Sequence, residues 1–315
     1  MIKKAIIISL AGYKLTKNEI NIFKRYIPWG VILFNRNIQN YNQLKKLILS
    51  IKKVTKDKNY PVLIDEEGGE VSRLRNIIDN ELFSQSYFGQ IYKTNSKLGI
   101  SIYKYYINEL SIILKSLGIN INTVPVLDKF YEFTNNFLKK RIYSSNIKTI
   151  QSLSKICIKT YKENKISTVI KHIPGHGLAK SDSHKKLPTV NKSANFLLKN
   201  DFKCFKNNNS HFAMTAHVLF KKIDNKNCAT HSKTIIQNFI RKKIGFKGIL
   251  ISDDISMKAL KYDLVTNAKK SLLAGCNIVL YCAGNYKDSF KLIKEVPFID
   301  KFTAKKTSEF YKFLR

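Results

Sequence analysis

The residues best suited to chemistry lie close together in segment 171–184, which reads KHIPGHGLAKSDSH. Three of the chain's six histidines fall within thirteen residues here, and Pro174 with two glycines disfavours a helix. The segment therefore predicts a strand end that runs into a loop. Asp182 stands two residues before His184, a spacing that lets a carboxylate orient an imidazole for proton transfer. A turn with surface histidines is the alternative, but the crowding of Lys, His and Asp favours an active-site loop.

Two further acidic segments end apolar runs. Segment 249–254 reads ILISDD, and a carboxylate held at a strand end can act as nucleophile, base or metal ligand. We select Asp253 for that role, because Asp254 or Ser256 is better placed to cap a following helix.

Segment 65–73, DEEGGEVSR, combines an acidic strand end with paired glycines and an arginine. Asp65 could accept hydrogen bonds from sugar hydroxyls, and Arg73 could donate to a hydroxyl or carbonyl. A metal site is conceivable with so many carboxylates and histidines. However, His172 and His176 flank a Pro-Gly pair and cannot share one helix face, as the two histidines of a zinc-binding helix do.

Short apolar runs alternate with longer amphipathic stretches along the whole chain. The runs are continuous rather than alternating, which is typical of parallel strands buried on both faces. Eight strands with intervening helices predict a single-domain (β/α)8 TIM-type barrel over residues 1–315. A doubly wound sheet is the alternative, but no strand is followed by G-x-G-x-x-G. Strands are predicted at 3–10, 30–34, 61–65, 121–127, 168–172, 212–217, 248–253 and 277–282, and helices at 41–54, 96–117, 147–164 and 257–274.

Polar residues end several of the predicted strands on the same side. In barrels of this type the catalytic groups come from the C-terminal rim. Six such residues at the ends of five strands indicate an active-site rim: Asp65, Asp128, Lys171, His172, His217 and Asp253.

The composition restricts the other function classes. The formal net charge is +34, but only 7 of the 56 basic residues are Arg, the residue preferred for contacts with bases and phosphates. Lysines are spread along the chain beside abundant Asn, Ile and Tyr, as AT-rich coding would produce. No apolar run reaches the roughly 18–20 residues needed to cross a bilayer. Five cysteines without a C-x-x-C motif indicate reduced thiols in a cytoplasmic protein.

Five motifs in order closely resemble the bacterial β-N-acetylglucosaminidases of glycoside hydrolase family 3, enzymes of cell-wall recycling. The resemblance spans roughly residues 5–285, and K-H-x-P-G-H-G followed by D-S-H is highly specific to this group. The motifs lie at 65–73, 125–128, 171–184, 214–217 and 252–257.

The resemblance implies a role for each matching residue. Asp253 matches the nucleophile, His184 the general acid/base and Asp182 its dyad partner. The positions that match sugar-binding residues are Asp65, Arg73, Lys171, His172 and Arg141, although lysines precede Arg141 where the family has a glycine and an acidic residue.

The resemblance also implies an activity: removal of non-reducing terminal β-linked N-acetylglucosamine from muropeptides, with retention of configuration. The chain ends about 30 residues after its eighth predicted strand, so we expect the acid to come from the barrel itself. We expect no metal or cofactor, a small-molecule sugar substrate, no specific nucleic acid, no membrane association and a monomer. The alternatives are an inactive sugar-binding protein and a basic nucleic-acid-binding protein on the same barrel.

Overall fold

Eight parallel strands close into a barrel in the computed structural model, which describes residues 2–181, 183 and 186–315. The order around the barrel is β1-β2-β3-β4-β5-β7-β9-β10, and β10 pairs with β1 to close it. A small parallel pair, β6 with β8, lies outside the barrel. The strands are β1 Lys4–Ser9, β2 Pro28–Leu33, β3 Val62–Ile64, β4 Ile121–Asn122, β5 Ser167–Ile173, β6 Thr189–Val190, β7 Phe212–Thr215, β8 Leu219–Phe220, β9 Ile249–Asp254 and β10 Ile278–Tyr281.

Helices follow the barrel strands and cover them on the outside. Each predicted strand and helix has an observed counterpart, so the predicted (β/α)8 barrel is confirmed. The helices are α1 Lys17–Arg25, α2 Tyr41–Thr55, α3 Gln85–Thr94, α4 Ser96–Leu117, α5 Asn136–Lys139, α6 Ile147–Glu163, α7 Ala194–Lys199, α8 Asp201–Cys204, α9 Leu264–Ala274, α10 Tyr286–Glu295 and α11 Lys301–Leu314, with 3-10 turns at Asn35–Asn37 and Ala229–His231 and a π-type helix at Ile235–Ile244.

The predicted start of the helix after β9 was wrong. Helix α9 begins at Leu264, because the side chain of Asp263 accepts hydrogen bonds from the backbone N–H groups of Val265 and Thr266. Asp254 therefore caps no helix; its carboxylate instead accepts from the N–H and hydroxyl of Ser256 within a turn. The predicted end is confirmed, with Gly275 in the left-handed conformation at φ 120°.

Strand β4 is shorter than predicted, ending at Asn122 rather than at residue 127. The side-chain amide of Asn122 donates to the carbonyl oxygen of Glu66 at 2.9 Å and accepts from the Glu66 N–H at 3.0 Å. Beyond it Pro125 carries no N–H to donate to a neighbouring strand. Pairing resumes only at Val126, which bridges to Lys171. The chain after β4 is thus fixed against the end of β5, where the predicted active-site loop begins.

Side chains fill the barrel, and α11 closes its N-terminal end. Phe310 of this helix is fully buried and packs edge-on against Phe212, at 5.2 Å between ring centroids. Trp29 packs on Phe212 at 5.4 Å and donates its indole hydrogen to Thr307 of the same helix. These aromatic rings fill the N-terminal end of the barrel interior, and in barrels of this type the site lies at the opposite, C-terminal rim. No helix in the described ranges is long and apolar enough to cross a membrane.

Candidate active site

Lys171 forms the centre of the rim. It lies in β5, and its side chain is 3% exposed. Its ammonium lies 2.6 Å from a carboxylate oxygen of Glu67, 3.1 Å from Asp65 and 3.0 Å from the Thr123 hydroxyl. An ammonium has three hydrogens to donate, and each finds an acceptor here. Lys171 therefore fixes the positions of two carboxylates in addition to facing the pocket.

Glu67 pairs with two cations, and this residue was not among the predicted ones. Its two oxygens accept from Nε and Nη2 of Arg141 at 2.8 and 2.9 Å, a two-pronged contact. Burial opposes ionisation of Glu67, but Arg141 and Lys171 outweigh it and lower its pKa to about 2. Burial likewise disfavours the charged form of Arg141, yet Glu67 holds its pKa above the usual value.

In the sequence, the two glycines that follow Glu67 were the feature that could have indicated its role in the site. Gly68 and Gly69 adopt φ values of 80° and 61°. A Cβ on Gly68 would lie 2.1 Å from the Phe83 carbonyl oxygen, so only glycine fits. This close turn holds the preceding carboxylate in the site.

Asp65 is charged in this environment. Burial would raise its pKa, but Lys171 and Arg73, with a hydrogen bond from the Thr123 hydroxyl, hold the pKa well below its usual range. Arg73 lies 3.6 Å from Asp65 and stacks on the ring of Phe34. Its buried Nε has no hydrogen-bond partner among the described residues. An ionised acceptor and a guanidinium thus lie side by side in the lining of the pocket, an arrangement suited to sugar hydroxyls.

Asp128 organises the loop that follows β5. It is fully buried, accepts from Nδ1 of His172 at 2.7 Å and accepts from the backbone N–H of His176 at 2.6 Å. Burial alone would raise the pKa of Asp128, but His172 and His176 lower it. Farther along, the Thr134 hydroxyl donates to Gly177. The beginning of the loop is therefore anchored to the segment after β4.

The paired carboxylates at the end of β9 differ in ionisation. Burial would raise the pKa of Asp253, but His217, His172 and the Asp254 N–H lower it, and that N–H donates to Asp253 at 2.8 Å. Burial keeps the pKa of Asp254 above its usual value. Asp254 accepts from the N–H of Cys282 at 3.1 Å, which ties β9 to the end of β10. Asp253 is therefore the better nucleophile of the two.

Six of the eight predicted site residues line one pocket at the C-terminal rim. Asp182 and His184 lie outside the described residues. Ser183, which separates them in sequence, lines the pocket, and its carbonyl accepts from the Ala259 N–H at 3.2 Å. The described residues hold no group of three or more His, Cys, Asp or Glu arranged to bind a metal. The six that line the pocket are Asp65, Arg73, Arg141, Lys171, His172 and Asp253.

The sequence and fold of this barrel are similar to those of known proteins. The family model of the glycosyl hydrolase family 3 N-terminal domain matches residues 4–299 of the sequence, so the chain belongs to this family. It is a glycoside hydrolase with a carbohydrate substrate. It is 30% identical to the β-hexosaminidase of Methylobacillus flagellatus, covering 88% of this chain and 80% of that protein. The corresponding enzyme of Actinobacillus succinogenes is 29% identical with the same coverage.

A solved structure agrees with this placement. The chain is similar to NagZ from Neisseria gonorrhoeae, crystallised in complex with N-trifluoroacetyl-D-glucosamine, with a TM-score of 0.88 and 27% identity. The similarity covers 100% of this chain and 91% of NagZ.

Replacing Glu67 by Gln should impair both the site and the fold. The change removes a carboxylate that pairs with two buried cations. Removing one partner of a buried ion pair costs about 3 kcal/mol of folding free energy. We expect kcat/KM to fall by about 100-fold or more, and the free energy of unfolding in urea to fall by a similar ~3 kcal/mol. Because the Glu67 pKa is lowered from 4.5 to about 2, its stabilisation is present above pH 4.5 and lost as the pH falls through 2. The variant should lack that acid-side dependence.

Glu70 provides the matched control, because it pairs with Lys140 at 2.7 Å on the exposed surface. Glu70→Gln should change stability by less than about 1 kcal/mol. Equal behaviour of the two variants would contradict the role assigned to Glu67.

Proposed function

We propose that the enzyme is a retaining exo-β-N-acetylglucosaminidase that acts on muropeptides, with N-acetylglucosaminyl-anhydro-N-acetylmuramic acid, with or without its peptide, as substrate. The observation that carries the proposal is the ionised Asp253 in one pocket with Asp65, Arg73 and Lys171. A nucleophile thus faces groups suited to sugar hydroxyls. The β-hexosaminidase relatives, and the N-acylglucosamine bound to NagZ, support the choice of sugar.

The first chemical step transfers the sugar to the enzyme. A carboxylate oxygen of Asp253 forms a bond to the anomeric carbon while the bond from that carbon to the leaving oxygen breaks. Protonated His184 gives its proton to the leaving oxygen, so the aglycone departs as a neutral alcohol. Asp65, Arg73, Arg141, Lys171 and His172 hold the sugar during this step.

The second step releases the sugar. Neutral His184 takes a proton from water, the water oxygen attacks the anomeric carbon and the ester bond to Asp253 breaks. Two inversions give net retention and restore both side chains. Asp182 favours the charged form of the His184 imidazole, so the proton donor stays protonated closer to the working pH.

The position of Ser183 supports the roles of its neighbours. Ser183, which separates them in sequence, lines the pocket, and Asp128 and Thr134 anchor the beginning of the loop that leads to it. We further propose that residues 1–315 act as one catalytic domain, in the cytoplasm, as a monomer, in peptidoglycan recycling and without a metal or organic cofactor.

The substrate assignment is tested with paired chromogenic sugars. The enzyme should release nitrophenol from the β-N-acetylglucosaminide at least about 100-fold faster than from the β-glucoside, because the family relatives are hexosaminidases. Mass spectrometry should then show cleavage of N-acetylglucosaminyl-anhydro-N-acetylmuramic acid into its two sugars. Preference for the glucoside would refute the proposed activity, while loss of only the muropeptide reaction would refute the proposed substrate.

Asp253→Asn should lower kcat by several orders of magnitude, because the amide keeps the shape of the strand end but cannot attack. A 5-fluoro N-acetylglucosaminyl inactivator should add one sugar mass to the wild-type peptide that contains Asp253. Fragmentation distinguishes Asp253 from its neighbour, and a label on Asp254 would show that the assignment within the pair is wrong.

His184→Ala should affect substrates in proportion to their need for an acid. Disaccharides have poor leaving groups, and we expect their kcat/KM to fall by about 10²–10⁴-fold. The nitrophenyl substrate leaves without protonation, so its kcat/KM should fall less than about tenfold. Lys186→Ala, at an exposed position of the same loop, is the control and should resemble wild type. Equal losses for both substrate types would assign the acid to another residue.

A further inference from the structure

A closed ring of hydrogen bonds lies behind the nucleophile. The Asp253 N–H donates to the Thr215 hydroxyl at 3.3 Å, and that hydroxyl lies 2.8 Å from the hydroxyl of Thr230. Thr230 lies 2.7 Å from Nδ1 of His217, and Nε2 of His217 lies 3.0 Å from the carbonyl oxygen of Asp254. Thr215, Thr230 and His217 are each 0% exposed. The ring therefore starts and ends on the backbone of the carboxylate pair.

Two hydrogen positions in the ring follow from the chemistry of the acceptors. A carbonyl oxygen can only accept, so Nε2 of His217 carries the hydrogen that it donates to Asp254. Thr215 accepts from the Asp253 N–H, and its hydroxyl also lies against that of Thr230. The Thr230 hydroxyl has two further partners, Nδ1 of His217 at 2.7 Å and the carbonyl oxygen of Ala216 at 3.2 Å. Every polar group of the ring therefore has a hydrogen-bond partner.

The ring holds three consecutive peptide groups. The N–H of Asp253 and the carbonyl of Asp254 are both fixed by it, and the N–H between them donates to the carboxylate of Asp253 itself. Rotation of either outer peptide would turn the middle one and move the carboxylate. A shift of about 1 Å in a reacting group can lower a rate by about 10²-fold.

Thr230 is the member that closes the ring. Thr215 and His217 belong to the end of β7 and the residues just after it, whereas Thr230 comes from the 3-10 turn Ala229–His231. The residues that line the pocket include none of these three. Their effect on the reaction would therefore pass through Asp253 rather than through contact with the sugar.

We propose that Thr230, acting with Thr215 and His217, is a positioning residue that holds the Asp253 carboxylate at the angle required for attack on the anomeric carbon. This rests on the proposed role of Asp253 as nucleophile. The hydroxyl is the necessary group, since it joins the imidazole to the second threonine. A side chain of similar shape without the hydroxyl would leave Nδ1 of His217 buried without its hydrogen-bond partner.

The test compares Thr230→Val with Thr230→Ser in the full-length enzyme on nitrophenyl N-acetylglucosaminide. The fraction of enzyme labelled by the fluorinated inactivator gives the concentration of competent sites. Dividing the maximal rate by this concentration gives a kcat that misfolded protein does not lower. Thr230→Val should lower this kcat by about 10–100-fold and change KM by less than about threefold, because sugar contacts are intact. Thr230→Ser should restore kcat to within about threefold of wild type.

Thr303→Val is the matched control, because Thr303 is equally buried and its hydroxyl has no partner among the described residues. It should keep the wild-type kcat. Thr215→Val and Thr215→Ser are measured in the same way and decide the matter if Thr230→Val does not fold. A wild-type kcat for the valine variant, or a serine variant as slow as valine, would overturn the proposal. A wild-type label outside Asp253 would instead overturn the proposed nucleophile, whatever the variant rates.

Discussion

A buried cluster of two cations and two carboxylates, paired with one another, holds the active-site end of the barrel together. Lys171 contacts both Asp65 and Glu67, and Arg141 contacts Glu67 with two hydrogen bonds. Such charges interact strongly because little water screens them, and each would be costly without its partner. The four come from three separate parts of the chain: the segment after β3, the segment after α5 and strand β5. Their mutual pairing therefore fixes the relative positions of these segments.

The two carboxylates at the end of β9 show how neighbouring groups of one type acquire different tasks. The side chains and the backbone donor around Asp253 favour its charged form, while burial dominates for Asp254. Asp254 accepts from Ser256 and Cys282 and so joins two strand ends. The environment, rather than the residue type, separates the carboxylate that is held ionised from the one that joins the strand ends.

The barrel and most of the pocket could be predicted from the sequence, because buried parallel strands leave continuous apolar runs and end in polar residues. The roles of Glu67 and Thr230 could not. Glu67 is one of three acidic residues in a row, and only the folded turn shows which one points at Arg141. Thr230 lies 13 residues after His217 in a segment without periodicity, so its approach to Asp253 depends on tertiary packing. The roles of Asp182 and His184 remain predictions.

The early start predicted for α9 has a similar cause. Met257, Ala259 and Leu260 are buried, so the segment shows a helix-like spacing of apolar residues. In the structure these side chains pack from a turn that supports Ser183 through Ala259. Apolar spacing reports burial, and a turn beside a site can bury the same residues as a helix.

The filled barrel also decides the order in which products can leave. Trp29, Phe212 and Phe310 close the lower end, so among the described residues the pocket opens at the rim. The part of a substrate that lies nearest the opening must therefore leave before the part that lies deeper. In the proposed two-step reaction, the part of the substrate nearest solvent leaves while the sugar is still held below it, and the free sugar leaves last. The empty site and the site that binds free sugar are then the same form of the enzyme, which makes the sugar product a competitor of every incoming substrate.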